Sequence, residues 1–368
     1  MKNLKMSSSM KNKRIIALHL PQFYPFPEND EWWGKGFTEW RNAAKARPRF
    51  RGHYQPHIPA DLGFYDLRLK EARIAQENLA KEYGIYGFCY YHYWFNGHLI
   101  MEKPVEAKFA DPEEDFPFML CWANENWHRN WAGGFNQSLI EQHYSKEDDI
   151  EHFKYLLPYF RDPRYIRVDG KPVFCVYRPA LFPCFDETVA TWQELAAKEG
   201  FQLYICKFEA GREWGKEYFP QSADAAVEFQ PINNEGWDRK YAWKSKLWKK
   251  FSNKPIFSDL LPYDKYVEFQ LSKPKFSDYK RYPSVCPTWD NASRRVNMVF
   301  RCFTGVTPAL FEKWLDHVYK TFEPFGKDED FIFINAWNEW AEGCHLEPDL
   351  KYGRGFLEAI RNVINRYN

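Results

Sequence analysis

Short apolar runs recur along the chain, and each is followed by a stretch in which apolar positions return every three or four residues. The runs at 15–20, 85–93, 116–123, 172–177, 202–208, 223–229, 284–289 and 331–336 have strand length and are bounded by turn residues. The segments 66–83, 101–109, 146–160, 186–199, 213–219, 258–271, 308–322 and 355–367 carry helical spacing, thinnest in the second and the fifth. Strand alternating with helix predicts a parallel sheet with right-handed crossovers. Eight such units predict closure into an α/β (β/α)8 TIM barrel. Three strand-to-helix connections are long, at 21–65, 124–144 and 230–257. The first carries Trp32, Trp33 and Trp40, the last Trp237, Trp243 and Trp248. In a barrel these decorate the face at the strand C-termini, where active sites are built. No repeat or linker divides the chain, which reads as a disordered tail over 1–13 and one catalytic domain over 14–368.

Composition changes this picture in one respect. Aromatic residues make up 19%, with 16 Trp, 23 Tyr and 32 Phe. Trp and Tyr carry a polar group that must be satisfied when buried, so part of this excess suits a wet groove that stacks on sugar faces, and part a core. The net charge of +1 gives no basic surface for nucleic acid. No apolar run approaches the ~18 residues of a membrane span, and the polar N-terminus followed by Pro21 does not read as an export signal; a cytoplasmic location is expected. The eight Cys form no CxxC pair, and Cys89, Cys121, Cys175, Cys206 and Cys286 sit in apolar runs, so neither a disulfide framework nor a metal site is expected.

The chemistry concentrates at strand ends. The segment from Phe331 to Gly343, reading FIFINAWNEWAEG, delivers Asn338, Glu339 and Glu342 to the barrel mouth. Two carboxylates three residues apart share one side of a turn, and close carboxylates cannot both ionise easily, so one stays protonated near neutral pH. Glycoside cleavage needs such a split pair. The competing reading is a helix start, with Asn338 as cap and Glu342 as a first-turn charge. A second cluster, Cys121 to Trp127 (CWANENW), sets Asn124 and Glu125 between Trp122 and Trp127, and makes Glu125 the rival catalytic carboxylate or a ligand for sugar hydroxyls. His92 and Tyr93 after the second strand, His19 and Gln22 after the first, Tyr177 after the fourth, Glu228 after the sixth, and Trp289 and Asp290 after the seventh complete a ring of groups suited to a polyhydroxylated substrate. The sequence has no GxGxxG after a strand, no GxxxxGK[ST], no HExxH and no GxSxG.

The stretches His19-Leu-Pro-Gln-Phe, Glu28 to Trp40, Gly52-His-Tyr-Gln-Pro, Gly84 to Phe95, Cys121 to Trp127 and Asn335 to Gly343 resemble the WbsX-type family across about residues 14–365. The Asn-Glu-Trp-x-Glu-Gly segment and Val168 to Phe174 are also similar to glycoside hydrolase family 99, endo-acting α-mannosidases and mannanases on (β/α)8 barrels. That resemblance implies cleavage of α-mannoside-type bonds with retention and without metal or other cofactor. It implies that Glu339 is the base on the sugar 2-hydroxyl and Glu342 the acid/base, with a 1,2-anhydro intermediate. The Trp-rich first loop and the Asn124-Glu125-Asn126 cluster depart from family 99. The expected partner is an oligo- or polysaccharide. Two alternatives stand beside hydrolysis: a cytoplasmic glycosyltransferase of surface-polysaccharide assembly, and a sugar-binding barrel without activity.

Overall fold

The computed structural model describes residues 13–128, 138–211, 213–231, 259–273, 278–295 and 300–368. The apolar runs pair in parallel as β1 (Arg14–His19), β2 (Gly87–Phe95), β3 (Phe118–Trp122), β4 (Lys171–Val176), β5 (Tyr204–Glu209), β6 (Ala225–Glu228), β7 (Arg281–Tyr282 and Ser284–Val285) and β8 (Phe331–Ile334). β7 is one strand interrupted at Pro283, which has no N–H to give a ladder. Its first half pairs with β6 (Ala226↔Arg281) and its second with β8 (Ser284↔Phe333). β1 lies between β8 (Arg14↔Phe331) and β2 (Ile16↔Gly87). The ring closes: the fold is a (β/α)8 TIM barrel.

Helices are α1 (Pro27–Trp33), α2 (Glu39–Lys45), α3 (Lys70–Glu82), α4 (Lys103–Ala110), α5 (Lys146–Arg161), α6 (Phe185–Lys198), α7 (Tyr263–Ser272), α8 (Pro308–Thr321) and α9 (Gly355–Tyr367). α3 to α9 cover the barrel, while α1 and α2 belong to the long first loop. The local code is visible in α8. The Thr307 hydroxyl accepts from Leu310 N at 3.3 Å, Pro308 starts the helix, and Phe311, Trp314, Leu315 and Tyr319 form the buried stripe. Among the described residues, no helix is long and apolar enough to cross a membrane.

Two expected helices differ. Over 213–219 only the 3-10 turn Lys216–Tyr218 forms, because Gly215 and Pro220 bracket too few residues for a stable α-helix. The sixth begins late: Asp259–Pro262 is a strand paired with Arg301–Thr304, and the helix starts at Tyr263. The Trp237, Trp243 and Trp248 segment and the expected tail, apart from Lys13, lie outside the described residues. Much of the aromatic excess is core. Trp122, Trp192, Trp314, Trp337 and Trp340 are fully buried. Trp192 Nε1 donates to Asp149 O at 3.0 Å and Trp340 Nε1 to a Glu347 carboxylate oxygen at 2.6 Å. All eight Cys are unpaired, and only Cys184 is exposed.

Candidate active site

A cavity of about 650 Å³ opens at the C-terminal ends of the strands, within the range of small-ligand sites. Every second residue of a strand faces the same side. On β2, Tyr91 and Tyr93 face the cavity, while His92 faces the helices and meets His152 of α5, Nε2 to Nε2 at 2.8 Å. The loops after β1 supply Gln22, Trp33, Phe37 and Glu39. Those after β3 supply Glu125, Asn126 and Trp127, with Tyr177 after β4 and Phe229 after β6. Asn335, Glu339 and Glu342 follow β8, and Arg294 follows β7.

Glu339 and Glu342 come together through a tight hairpin. Asn338–Glu339 pairs antiparallel with Cys344–His345, and a single 3-10 turn, Trp340–Glu342, joins them. At three residues per turn, positions i and i+3 eclipse, which brings both carboxylates to one side. Gly343 closes the turn at φ 54°, and a Cβ there would stand 2.9 Å from Asp290 Cβ, so both backbone and space require glycine. Asn338 does not cap; its side chain accepts from Leu20 N at 2.8 Å and donates to Leu20 O at 3.0 Å, tying the hairpin to β1.

The carboxylates converge on Arg294. Its Nη1 donates to Glu342 Oε1 at 2.7 Å, and its Nη2 to Glu39 Oε1 at 2.6 Å and Glu339 Oε2 at 3.1 Å. Asp290 starts the turn that carries Arg294 by accepting from Ala292 N at 3.0 Å. Three carboxylates, two buried and Glu342 partly so, face one guanidinium, so the cluster holds on to a proton. Burial, against the opposing pull of Arg294, pushes Glu339 up to about 8 and Glu342 upward as well. Neither bonds as a helix-start cap would.

This proton has a stability consequence. For a carboxyl raised in the folded state, the native chain binds more protons than the unfolded one between the two pKa values, so stability falls as pH rises. Glu339, and Glu347, which burial raises to about 7, act in the same direction. The buried imidazoles of His19 and His92, lowered to about 3 by burial, oppose them only below about pH 6.5. Thermal denaturation should therefore show the midpoint falling between pH 6.5 and 8, and Glu339→Gln should flatten that slope. A slope unchanged in the variant would place the proton elsewhere.

Glu125 borders the same cavity but differs in character. It is about half exposed, and Arg178 Nη1 bonds its Oε1 at 2.5 Å while Arg178 Nε bonds Glu213 at 2.9 Å. Asn124 does not reach the cavity. It clamps the backbone of Arg178, accepting from its N at 2.8 Å and donating to its O at 2.9 Å, and thereby positions the guanidinium that holds Glu125.

Of the residues expected at the mouth, Glu339, Glu342, Glu125, Gln22, Tyr93, Trp127 and Tyr177 are brought together. Others are not. His19 faces outward, its Nε2 3.1 Å from Gln76 Oε1 of α3. Trp122 sits in the core against His152 and Trp192, its Nε1 donating to Trp94 O at 3.1 Å. Glu228 alternates with Phe229 and pairs with Arg281 at 3.4 Å and Lys273 at 3.6 Å. Trp289 is buried in the core, and Asp290 is held beneath the hairpin by His53 at 2.6 Å and Gln55 at 2.7 Å. Sequence reading missed Glu39, Arg294 and Tyr91. Tyr91 is recoverable from strand alternation. Glu39 and Arg294 are 255 residues apart and belong to loops, where no periodicity marks them.

The sequence profile of the family described as Glycosyltransferase WbsX matches residues 15–360. The chain belongs to that family. A relative in Xanthomonas campestris pv. campestris, named "Uncharacterized protein WxcX", is 40% identical over 359 residues, covering 96% of this chain and 50% of the relative. The chain thus spans about half the length of the curated relatives it matches. Among solved structures, a "Glycoside hydrolase-like protein" superposes with TM-score 0.59 at 14% identity, over 96% of this chain and 94% of the other. The GH99 endo-alpha-mannosidase from Bacteroides thetaiotaomicron superposes with TM-score 0.56 at 13% identity, over 97% and 98%. At such identity the likeness concerns the fold: a WbsX-family chain folds as glycoside hydrolases of family 99 do.

Proposed function

We propose that this WbsX-family barrel cleaves α-mannoside-type glycosidic bonds with retention, using Glu339 and Glu342. The observation that carries the reading is the buried Glu339–Glu342 pair around Arg294, which keeps a proton near neutral pH beside an aromatic-walled cavity. Glu339 takes the proton of the sugar 2-hydroxyl as O2 forms a bond to C1. The C1–leaving-oxygen bond breaks with its electron pair on oxygen, and Glu342 protonates that oxygen. Water then adds to C1, giving its proton to Glu342, as the C1–O2 bond breaks with its electron pair on O2 and O2 recovers a proton from Glu339. Neither carboxylate attacks carbon, so the two need not flank the sugar as an ordinary retaining pair does. In the free chain burial raises both carboxyls, so the pair retains a proton. The mechanism requires that proton on Glu342 when a sugar fills the cleft, and single-turnover pH profiles of Glu339→Gln and Glu342→Gln would report its place.

Arg178 and Glu125, with Trp33, Phe37 and Trp127, form a polar and aromatic rim suited to neighbouring sugar units. A second reading is supported by the family's description as a glycosyltransferase: the same steps deliver the glycosyl unit to an acceptor hydroxyl instead of water. Incubation with a panel of α-mannans and bacterial surface polysaccharides, with product analysis, is the test. New reducing ends of retained configuration are expected. Inverted products would remove the mechanism. Turnover only with a nucleotide-sugar donor would favour transfer over hydrolysis.

A further inference from the structure

Behind the cavity, the loop after β1 and the segment after the Glu339–Glu342 hairpin run side by side. Ala60 N donates to Pro348 O at 2.9 Å, and Leu350 N to Ile58 O at 3.0 Å. Between them lie His57, His345 and Asp349, all buried. Their nearest ligand atoms fall within 4.8 Å of one another. Nothing in the proposed reaction uses them.

The hydrogen bonds of this cluster do not close. His345 Nδ1 is 2.9 Å from Glu347 O. A carbonyl only accepts, so Nδ1 carries the proton and Nε2 presents a bare lone pair. That lone pair accepts from His57 Nδ1 at 2.9 Å. Asp349 Oδ1 accepts from Lys351 N at 2.9 Å and Tyr352 N at 2.6 Å. Asp349 Oδ2 has no hydrogen-bond partner, although the residue is 2% exposed. It points at the acceptor His345 Nε2, 3.8 Å away. The adjacent Tyr54 hydroxyl stands beside the Asp349 carboxylate without a well-formed hydrogen bond. Lys351 stands over the rings of Tyr54 and Tyr352 at 4.6 Å. Two acceptors thus face each other across 3.8 Å, and the donor beside Asp349, the Tyr54 hydroxyl, makes no well-formed hydrogen bond to it, an arrangement that buried polar groups normally avoid.

We propose that His57 Nδ1, His345 Nε2 and Asp349 Oδ2 bind one divalent transition-metal ion of zinc type, with the Tyr54 hydroxyl beside the fourth position. Two imidazoles and one carboxylate are a fitting donor set for such an ion. One cation would receive all three lone pairs as the His57 proton moves from Nδ1 to Nε2, the tautomer that leaves Nδ1 free to ligate. The bond from His345 Nδ1 to a carbonyl is the outer-sphere contact that fixes the tautomer of a metal-ligating histidine. The ion would clip the first loop to the segment following Glu342, outside the cavity. A second buried group, His53, Asp290 and Cys302, also lies within 4.8 Å, yet it differs in the decisive respect. Asp290 Oδ2 accepts from Gln55 and faces His53 Nε2, Oδ1 accepts from Ala292 N, and His53 Nδ1 accepts from Arg49 N. That group has no unpaired carboxylate oxygen and needs no ion.

The test is titration of the chelator-stripped full chain with Zn²⁺ alone against a chromophoric competitor, together with thermal denaturation. One zinc per chain and a raised melting temperature are expected. Asp349→Asn and His57→Gln, checked by circular dichroism, should each weaken binding by more than about 100-fold, beyond the usual effect of losing an outer-sphere partner. Cys302→Ser should leave binding unchanged. Absence of stoichiometric zinc, or binding by Asp349→Asn as tight as the parent's, would overturn the site. If both ligand variants fail to fold, Co²⁺ on the parent chain decides. A visible spectrum of low-coordinate nitrogen and oxygen ligation supports the site, and a hexaaquo-like spectrum overturns it.

Discussion

Glu342→Gln should lower turnover by about 10²–10⁴-fold, the usual worth of a single general acid, while sugar binding stays within a few-fold of the parent. Glutamine keeps the volume and can still face Arg294 Nη1 with its amide oxygen, so the hairpin and the cavity wall persist. What is lost is the proton that leaves with the departing oxygen. The measurement is single-turnover cleavage of whichever polysaccharide the panel identifies, beside binding of the same glycan by calorimetry. Rescue with an activated leaving group, which needs no protonation, separates loss of the acid from a distorted cleft. If turnover falls equally on activated and natural substrates, Glu342 is not the acid. If Glu125→Gln shows the leaving-group-dependent loss instead, the catalytic carboxylate lies on the other side of the cavity.

Arg294→Leu should destabilise the chain by roughly 3–5 kcal/mol at pH 7.5, the range seen when one partner is removed from a buried ion pair. The guanidinium bonds Glu39, Glu339 and Glu342. Its removal leaves the carboxylates of the cluster crowded on the cavity wall without a countercharge. They respond by taking up protons, so the deficit should shrink as pH falls toward 5. Urea denaturation at both pH values reads this directly. Arg294→Lys should recover only part of the loss, because an ammonium cannot reproduce the planar fork that reaches three carboxylates at once. A loss below about 0.5 kcal/mol, the scale of an exposed pair, would mean that solvent and not Arg294 compensates the cluster.

The sequence carried the barrel well because its evidence is local and repeated. Apolar runs alternate with helical stripes, and the boundaries shift most at Gly215 and Pro220, at Asp259–Pro262, and in the seventh strand, which forms over Arg281–Tyr282 and Ser284–Val285 instead of 284–289. The carboxylate pair was legible for a similar reason: Glu339 and Glu342 share one short motif at a strand end. The surroundings were not. His92 and Tyr93 are neighbours in sequence, and strand alternation sends them to opposite faces. Glu228 and Phe229 repeat the lesson with the polar residue turned outward. Asn124, Asn338 and Asp290 have the polarity of ligand-binding groups but spend it on backbone or on loop side chains. Arg294 and Glu39 meet only because the ring closes, and no spacing rule reaches across that distance.

Closure also sets a timetable. The floor of the cleft needs β8 beside β1, a pairing such as Arg14↔Phe331 that joins the two ends of the barrel. A chain emerging from the ribosome presents its first tryptophan-rich loop long before β8 exists. At synthesis rates of roughly 5–20 residues per second, that interval is on the order of 15–60 s. During most of it Glu39 has no Arg294, and throughout it the first strand has a vacant edge. The nascent barrel is therefore chemically idle and sticky at once, and its dependence on chaperones should be greatest just before the final strand is made.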